Sequence, residues 1–191
     1  MAEKKKRKGR RAYLNDIYTD VNGRAVYTGK MFTYDGPLPY GAARSRICLY
    51  CGAVLLCVVA VGVLPAPAML GYGKFYVTLP FMLEALGVFL MLWAAIRMLY
   101  HGASLRAYIH EATVKKLPWW LEMTAVFAGL SVVGNVIYLA LHGFGGQVVV
   151  SLAVIVFQVL AALLALLGRR FVGAMEWRGG EEALPPGQPD R

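Results

Sequence analysis

Residues 75–96 read FYVTLPFMLEALGVFLMLWAAI, with one charge, Glu84, inside the run and Arg97 directly after it. At the helical rise of about 1.5 Å per residue such a run reaches about 33 Å. That length crosses a hydrocarbon core of about 30 Å, and no soluble helix needs apolar residues on every face. Three more runs of the same kind are Ile47–Leu64, Trp119–Leu141 and Val148–Leu167. The fold class predicted is an all-α membrane protein, a bundle of four transmembrane helices.

Outward from these spans, the basic residues fall on one side. Of 20 Lys and Arg, 11 precede the first span, 4 lie between the second and third, and 4 follow the fourth. Only Lys74 falls on the other side. By the positive-inside rule the basic side is the cytoplasm, which holds both termini. The composition suits a bacterial inner membrane. The net charge of +9 reads as orientation plus attraction to anionic lipid heads, worth about 1 kcal/mol per basic residue near the surface. Nucleic-acid binding is the less economical reading. No polar stretch reaches the roughly 50 residues that a second globular domain needs.

The chain divides into residues 1–46, a cytoplasmic basic tail and Tyr-rich β-hairpin; residues 47–167, the bundle, with a cytoplasmic loop at 97–118; and residues 168–191, a juxtamembrane segment and disordered tail. The tail block Lys4, Lys5, Lys6, Arg7 and Lys8 repels itself and suits a lipid surface. Asn22-Gly23 between Tyr18-Thr19-Asp20-Val21 and Arg24-Ala25-Val26-Tyr27 predicts a two-residue type I′ hairpin flanked by Val21 and Arg24. Gly29 is a candidate bulge, and Lys30–Tyr34 a further strand. Tyr18, Tyr27 and Tyr34 are candidate lipid or partner contacts. The rhythm of Leu105, Tyr108, Ile109 and Ala112 predicts a short surface helix or a cytoplasmic extension of the second span. Pro80 is read as lying near the start of its helix, where a missing N–H costs nothing. Gly179 onward is read as tail.

Candidate chemistry centres on Glu84. Buried carboxylates in a membrane are costly and carry a default functional hypothesis. Counting along the spans puts Glu84 about 20 Å from the Arg97 end. Ser131, Asn135 and Gln158 come to about 17–23 Å from their own basic ends. These four residues are expected to form one polar layer facing the bundle interior, read as a structural hydrogen-bond layer before a transport site; Glu84 is then a protonated packing residue or, if its helix starts near Pro80, a contact to the outer headgroups. The small-residue pairs Ala125/Gly129 and Ala161/Ala165 predict close helix packing.

Cys48 and Cys51 form a CxxC, a possible thiol pair. The motif is similar to that of membrane disulfide oxidoreductases of the vitamin K epoxide reductase kind, which would imply a thiol enzyme. The resemblance covers this motif alone, and the pair sits on the basic, reducing side. Small multidrug exporters share four spans and a membrane glutamate, but theirs lies in the first helix of a shorter chain. His110-Glu111 opens an apparent HExxH whose fifth position is Val114, so the zinc pairing fails. No catalytic set, cofactor site or metal site is predicted. The expectation is a non-enzymatic accessory or scaffold subunit that contacts a protein partner, or a second copy of itself, through its cytoplasmic segments. The alternatives are a small transporter or channel using Glu84 and, less supported, a thiol oxidoreductase.

Overall fold

The structure is a computed structural model that describes residues 17–19, 25–27, 29–64, 73–144 and 148–182. In chain order the elements are β1 (Ile17–Thr19), β2 (Ala25–Tyr27), β3 (Lys30–Tyr34), α1 (Tyr40–Val63), α2 (Phe75–Tyr100), β4 (Ser104–Arg106), α3 (Ala107–Ala112), α4 (Leu117–His142), α5 (Val148–Gly173) and β5 (Trp177–Glu182).

Helices α1, α2, α4 and α5 form the bundle, and each is long and apolar enough to cross a membrane. Neighbours in contact are α1 with α2, α2 with α4, α4 with α5, and α5 with α1. The bundle is inside-out by soluble standards. Leu56, Leu86, Phe89, Val133 and Leu163 point outward, whereas Glu84, Ser131, Ser151 and Gln158 are buried. Water would penalise that surface, and hydrocarbon accepts it. The chain thus has the build of a multi-pass membrane protein.

Each helix outruns its apolar stretch. α1 starts at Tyr40, directly after Pro39, and carries exposed Arg44 and Arg46 in its first turns. α5 continues through Arg169 and Arg170 to Gly173. α2 begins at Phe75, so Pro80 is its sixth residue rather than a first-turn residue. Pro80 therefore removes a real hydrogen bond, the one its N–H would donate to the Tyr76 carbonyl four residues back. Helix α4 presses close to that same carbonyl at Gly134, where an added Cβ would overlap the Tyr76 oxygen. Gly129 has nothing within 4 Å of an added Cβ, so it is not a packing position; Ala161 and Ala165 are fully buried.

At one end of the bundle, called here the sheet end, three short strands join into an antiparallel sheet of order β4-β3-β5. They come from three separate segments, before α1, after α2 and after α5. Phe32 lies opposite Leu105 of β4 and Gly179 of β5. Thr33 lies opposite Ser104 and Arg178. Backbone bonds from Tyr34 N–H to the Ala103 carbonyl (2.9 Å) and from Asp35 N–H to the Glu176 carbonyl (3.1 Å) extend both pairings. The register slips between Lys30 and Phe32, where β5 carries one extra residue. Gly179-Gly180 accommodates that bulge, so the irregularity sits on β5 and not at Gly29. β5 also corrects the reading of residues 179–182 as tail. β4 corrects the first part of the expected surface helix, which begins only at Ala107.

β1 and β2 form a separate antiparallel pair with Thr19 opposite Ala25. A two-residue Asn22-Gly23 loop would instead set Thr19 opposite Val26, so the described register differs from the expected one by a single residue. The turn itself, like Lys4–Lys8, lies outside the described residues.

Candidate functional site

The four polar residues of the bundle are drawn inside by helical periodicity. Glu84 shares a buried stripe of α2 with Val77, Gly87, Val88 and Met91. Ser131 and Asn135 lie one turn apart on the buried face of α4, and Gln158 lies on that of α5. Exposures of 0% for Glu84, 0% for Ser131, 4% for Asn135 and 1% for Gln158 exclude contact with the surround. All four lie 7–11 residues from the end of the bundle opposite the sheet, about 10–17 Å at the helical rise. They form one layer in the far half of the bundle.

Within the layer the partners are unequal. Asn135 Nδ2 donates to Gln158 Oε1 at 3.1 Å and to the Ser131 carbonyl at 2.9 Å. That ties α4 to α5. Ser131 is the hydroxyl beside Glu84, yet Ser131 Oγ and both Glu84 carboxyl oxygens lack a hydrogen-bond partner among the described residues. Cys57 of α1 is also buried in the bundle interior. Among the described residues no cation shares the layer. Lys74 is exposed at the start of α2, ten residues away and about 15 Å along the axis.

The thiols do not share an environment. Cys48 is exposed on α1, and Cys51 points into the core. Three residues on a helix separate outward from inward positions here, and all three cysteines are free. Among the described residues no group of three His, Cys, Asp or Glu is placed to hold a metal ion.

A second candidate site lies at the sheet end, and little in the sequence alone points to it. Phe32 stacks on His110 of α3 with ring centroids 4.2 Å apart and planes 7° from parallel. Trp177 of β5 meets His110 edge-on at 5.8 Å and Tyr34 at 5.6 Å. Tyr34 also meets Tyr40 at the start of α1 at 5.7 Å. Leu105 and Ile109 are fully buried and continue into the same apolar core as Ile47, Met98 and Leu117. The sheet is thereby fixed to the bundle. Burial pushes the His110 imidazole below its ordinary range; Lys115 pushes the same way, and Glu111 opposes.

The opposite face of the sheet is open. Ser104, Thr33 and Arg178 are exposed in one cross-strand row, with Arg106 exposed beside them. Arg178 pairs with Asp35 at 3.0 Å, and Arg106 lies over the Tyr27 ring at 5.2 Å. Tyr27 in turn meets Tyr108 of α3 at 6.2 Å, edge-on. Of the candidate contact tyrosines, Tyr27 and Tyr34 are thus engaged within the chain, and Tyr18 is described by its backbone alone. A hint of this site lies in the sequence at Phe32 and Trp177, large aromatic residues outside the four long apolar runs. Comparison with protein-family models, with curated proteins and with solved structures finds no match.

Proposed function

We propose that this chain is a non-enzymatic membrane scaffold: a four-helix anchor that holds a small folded platform at a fixed angle for a protein partner. The observation that supports it is the composite sheet. Chain segments before α1, after α2 and after α5 give one strand each, and the sheet's aromatic face is welded to the bundle core. Loops that only connect helices have no need of such a structure. Its open face offers hydroxyls and guanidinium groups, Thr33, Ser104, Arg106 and Arg178, which suit an acidic or polar protein surface. On this reading the platform and both termini face the cytoplasm of a bacterial inner membrane, and the basic tail rests on anionic lipid heads.

Transport through the bundle has less support. Between Glu84 and the sheet end the interior is filled by Val54, Met91, Met98, Ile47, Leu117 and Leu121, all buried. A thiol enzyme has less still, since Cys48 and Cys51 diverge. The test is photo-crosslinking in native membranes, with a photoreactive residue at Thr33, Ser104 or Arg178. Leu86 and Phe89 on the outward face of α2 serve as controls. Discrete protein adducts at the platform positions, absent at the controls, are expected. No protein adduct at any of the three platform positions would contradict the reading.

A further inference from the structure

Glu84 poses a charge problem that the scaffold reading does not use. Its carboxyl group is fully buried, and among the described residues neither oxygen has a hydrogen-bond partner and no ion pair involves it. A lone carboxylate in a low-dielectric interior is prohibitively costly. One positive charge must accompany it.

The surroundings narrow what that charge is. Glu84 is beside a second unsatisfied buried oxygen, Ser131 Oγ. Beyond Ser131 stands an amide pair, Asn135 and Gln158, whose hydrogen bond is already made. One carboxylate among neutral oxygens balances one unit of charge. A divalent ion would leave a buried excess, and such ions recruit several carboxylates or waters.

The layer is also asymmetric along the bundle axis. Toward the sheet end lies the large apolar core that contains Val54, Met91 and Leu121. Toward the far end, among the described residues, lie the small cluster built on Val61 and Val154 and the buried Val77. Ser151, buried at 2% exposure, follows Gln158 outward on the same stripe of α5. It offers a polar step toward the far end, about 10 Å beyond Gln158.

We propose that Glu84 is the anionic ligand of an occluded site that exchanges a single positive charge, a proton or a small monovalent cation, with the far side of the bundle. Ser131 Oγ is the second ligand, and the Asn135–Gln158 pair braces α4 against α5 behind it. Proton uptake converts the carboxylate to the carboxylic acid. Cation uptake leaves the carboxylate and displaces that proton to bulk water, so charge balances in either case. The platform residues play no part, so failure of the scaffold reading leaves this site intact, and the reverse also holds.

Infrared difference spectroscopy on the full chain, reconstituted in phosphatidylcholine films, reads the carboxyl group directly. The films are perfused with a pH series in N-methylglucamine chloride, then with sodium chloride at fixed pH. Wild type, Glu84→Gln and Ser131→Ala are compared, each checked for fold by circular dichroism. A carboxylic C=O band that Glu84→Gln abolishes is expected. Its replacement by a carboxylate band as pH rises identifies the proton; replacement on sodium addition at constant pH identifies the cation. Ser131→Ala is expected to shift the midpoint, and it carries the test if Glu84→Gln fails to fold. A Glu84 band unchanged across both series would make the group a permanently protonated packing residue and overturn the proposal. So would a carboxylate band present under every condition, and an unmoved Ser131→Ala midpoint would remove Ser131 as a ligand.

Discussion

Gly134→Ala and Gly129→Ala place the same substitution on the same helix, five residues apart, and separate propensity from packing. Both replacements gain up to about 1 kcal/mol from the higher helix propensity of alanine. They differ in what the new methyl group meets. At Gly129 it meets nothing within 4 Å. At Gly134 it overlaps the Tyr76 carbonyl oxygen, with the carbonyl carbon at 3.3 Å and Val77 Cα at 3.5 Å. The obstacle is backbone, so no rotamer change relieves it. Overpacking of this kind costs about 1–3 kcal/mol, and a rigid obstacle places it in the upper half of that range, about 2–3 kcal/mol. Gly134→Ala should therefore be net destabilising by about 1–2 kcal/mol, and Gly129→Ala neutral or stabilising by up to about 1 kcal/mol. Because propensity cancels in the difference, the gap between the two variants measures the overlap itself. Reversible unfolding in mixed micelles, titrated with SDS and followed by far-ultraviolet circular dichroism, supplies both values. Equal stabilities for the two variants would refute the close α2–α4 approach at Tyr76.

Two further outcomes follow from the interior and from the platform. Asn135→Leu should cost about 1–2 kcal/mol in the same titration, because Gln158 Oε1 loses its donor; Asn135→Leu combined with Gln158→Leu should recover most of the loss, and additive losses would show that the bond is not made. His110, in the short helix outside the four long ones, has its folded-state affinity for protons lowered mainly by burial. The neutral form is favoured on folding, so its stabilisation is complete above the unfolded value of roughly 6.5 and is lost as pH falls from there toward the lower folded value. Protection of the β3 amides, taken as observed exchange relative to its intrinsic pH-dependent rate, should fall on acidification, and His110→Phe, which keeps the stack on Phe32, should flatten that response; an unchanged pH dependence of protection in this variant would contradict the assignment.

The four long helices are legible in the sequence because each presents about twenty apolar residues on every face, a signal that no local detail obscures. Their ends are less legible. The first turns of α1, Tyr40 to Arg46, are polar and carry no hydropathy signal, and the start of α2 shifts Pro80 from a harmless position to a costly one. The polar layer follows from counting rise along each span, which places Glu84, Ser131, Asn135 and Gln158 at a common depth without any knowledge of helix rotation. Which partners meet requires that rotation, and the missing donor for Glu84 appears only once the helices are packed. Gly129 and Gly134 look equivalent as letters; the neighbouring carbonyl distinguishes them. β3 shows alternation, but β4 is three residues long and β5 reads Trp-Arg-Gly-Gly-Glu-Glu, a composition that disfavours strands. Those two become strands because β3 offers an edge on each side, a non-local cause that a window along the chain does not contain.

The composite sheet is the central claim, and pairing across it can be trapped covalently. Thr33 and Arg178 are register partners on β3 and β5, and antiparallel partners stand about 4.5–5.5 Å apart at Cα, within the span of a disulfide. Cysteines at both positions are introduced into the full chain with Cys48, Cys51 and Cys57 replaced by alanine, and a protease site is placed between Gly143 and Val148. After mild oxidation in native membranes and cleavage, the two fragments should stay joined on a non-reducing gel and separate on reduction, while a control pair at Thr33 and Val149, an exposed position at the far end of α5, separates under both conditions. Fragments of the Thr33–Arg178 variant that separate as readily as the control would contradict the sheet, and with it the platform.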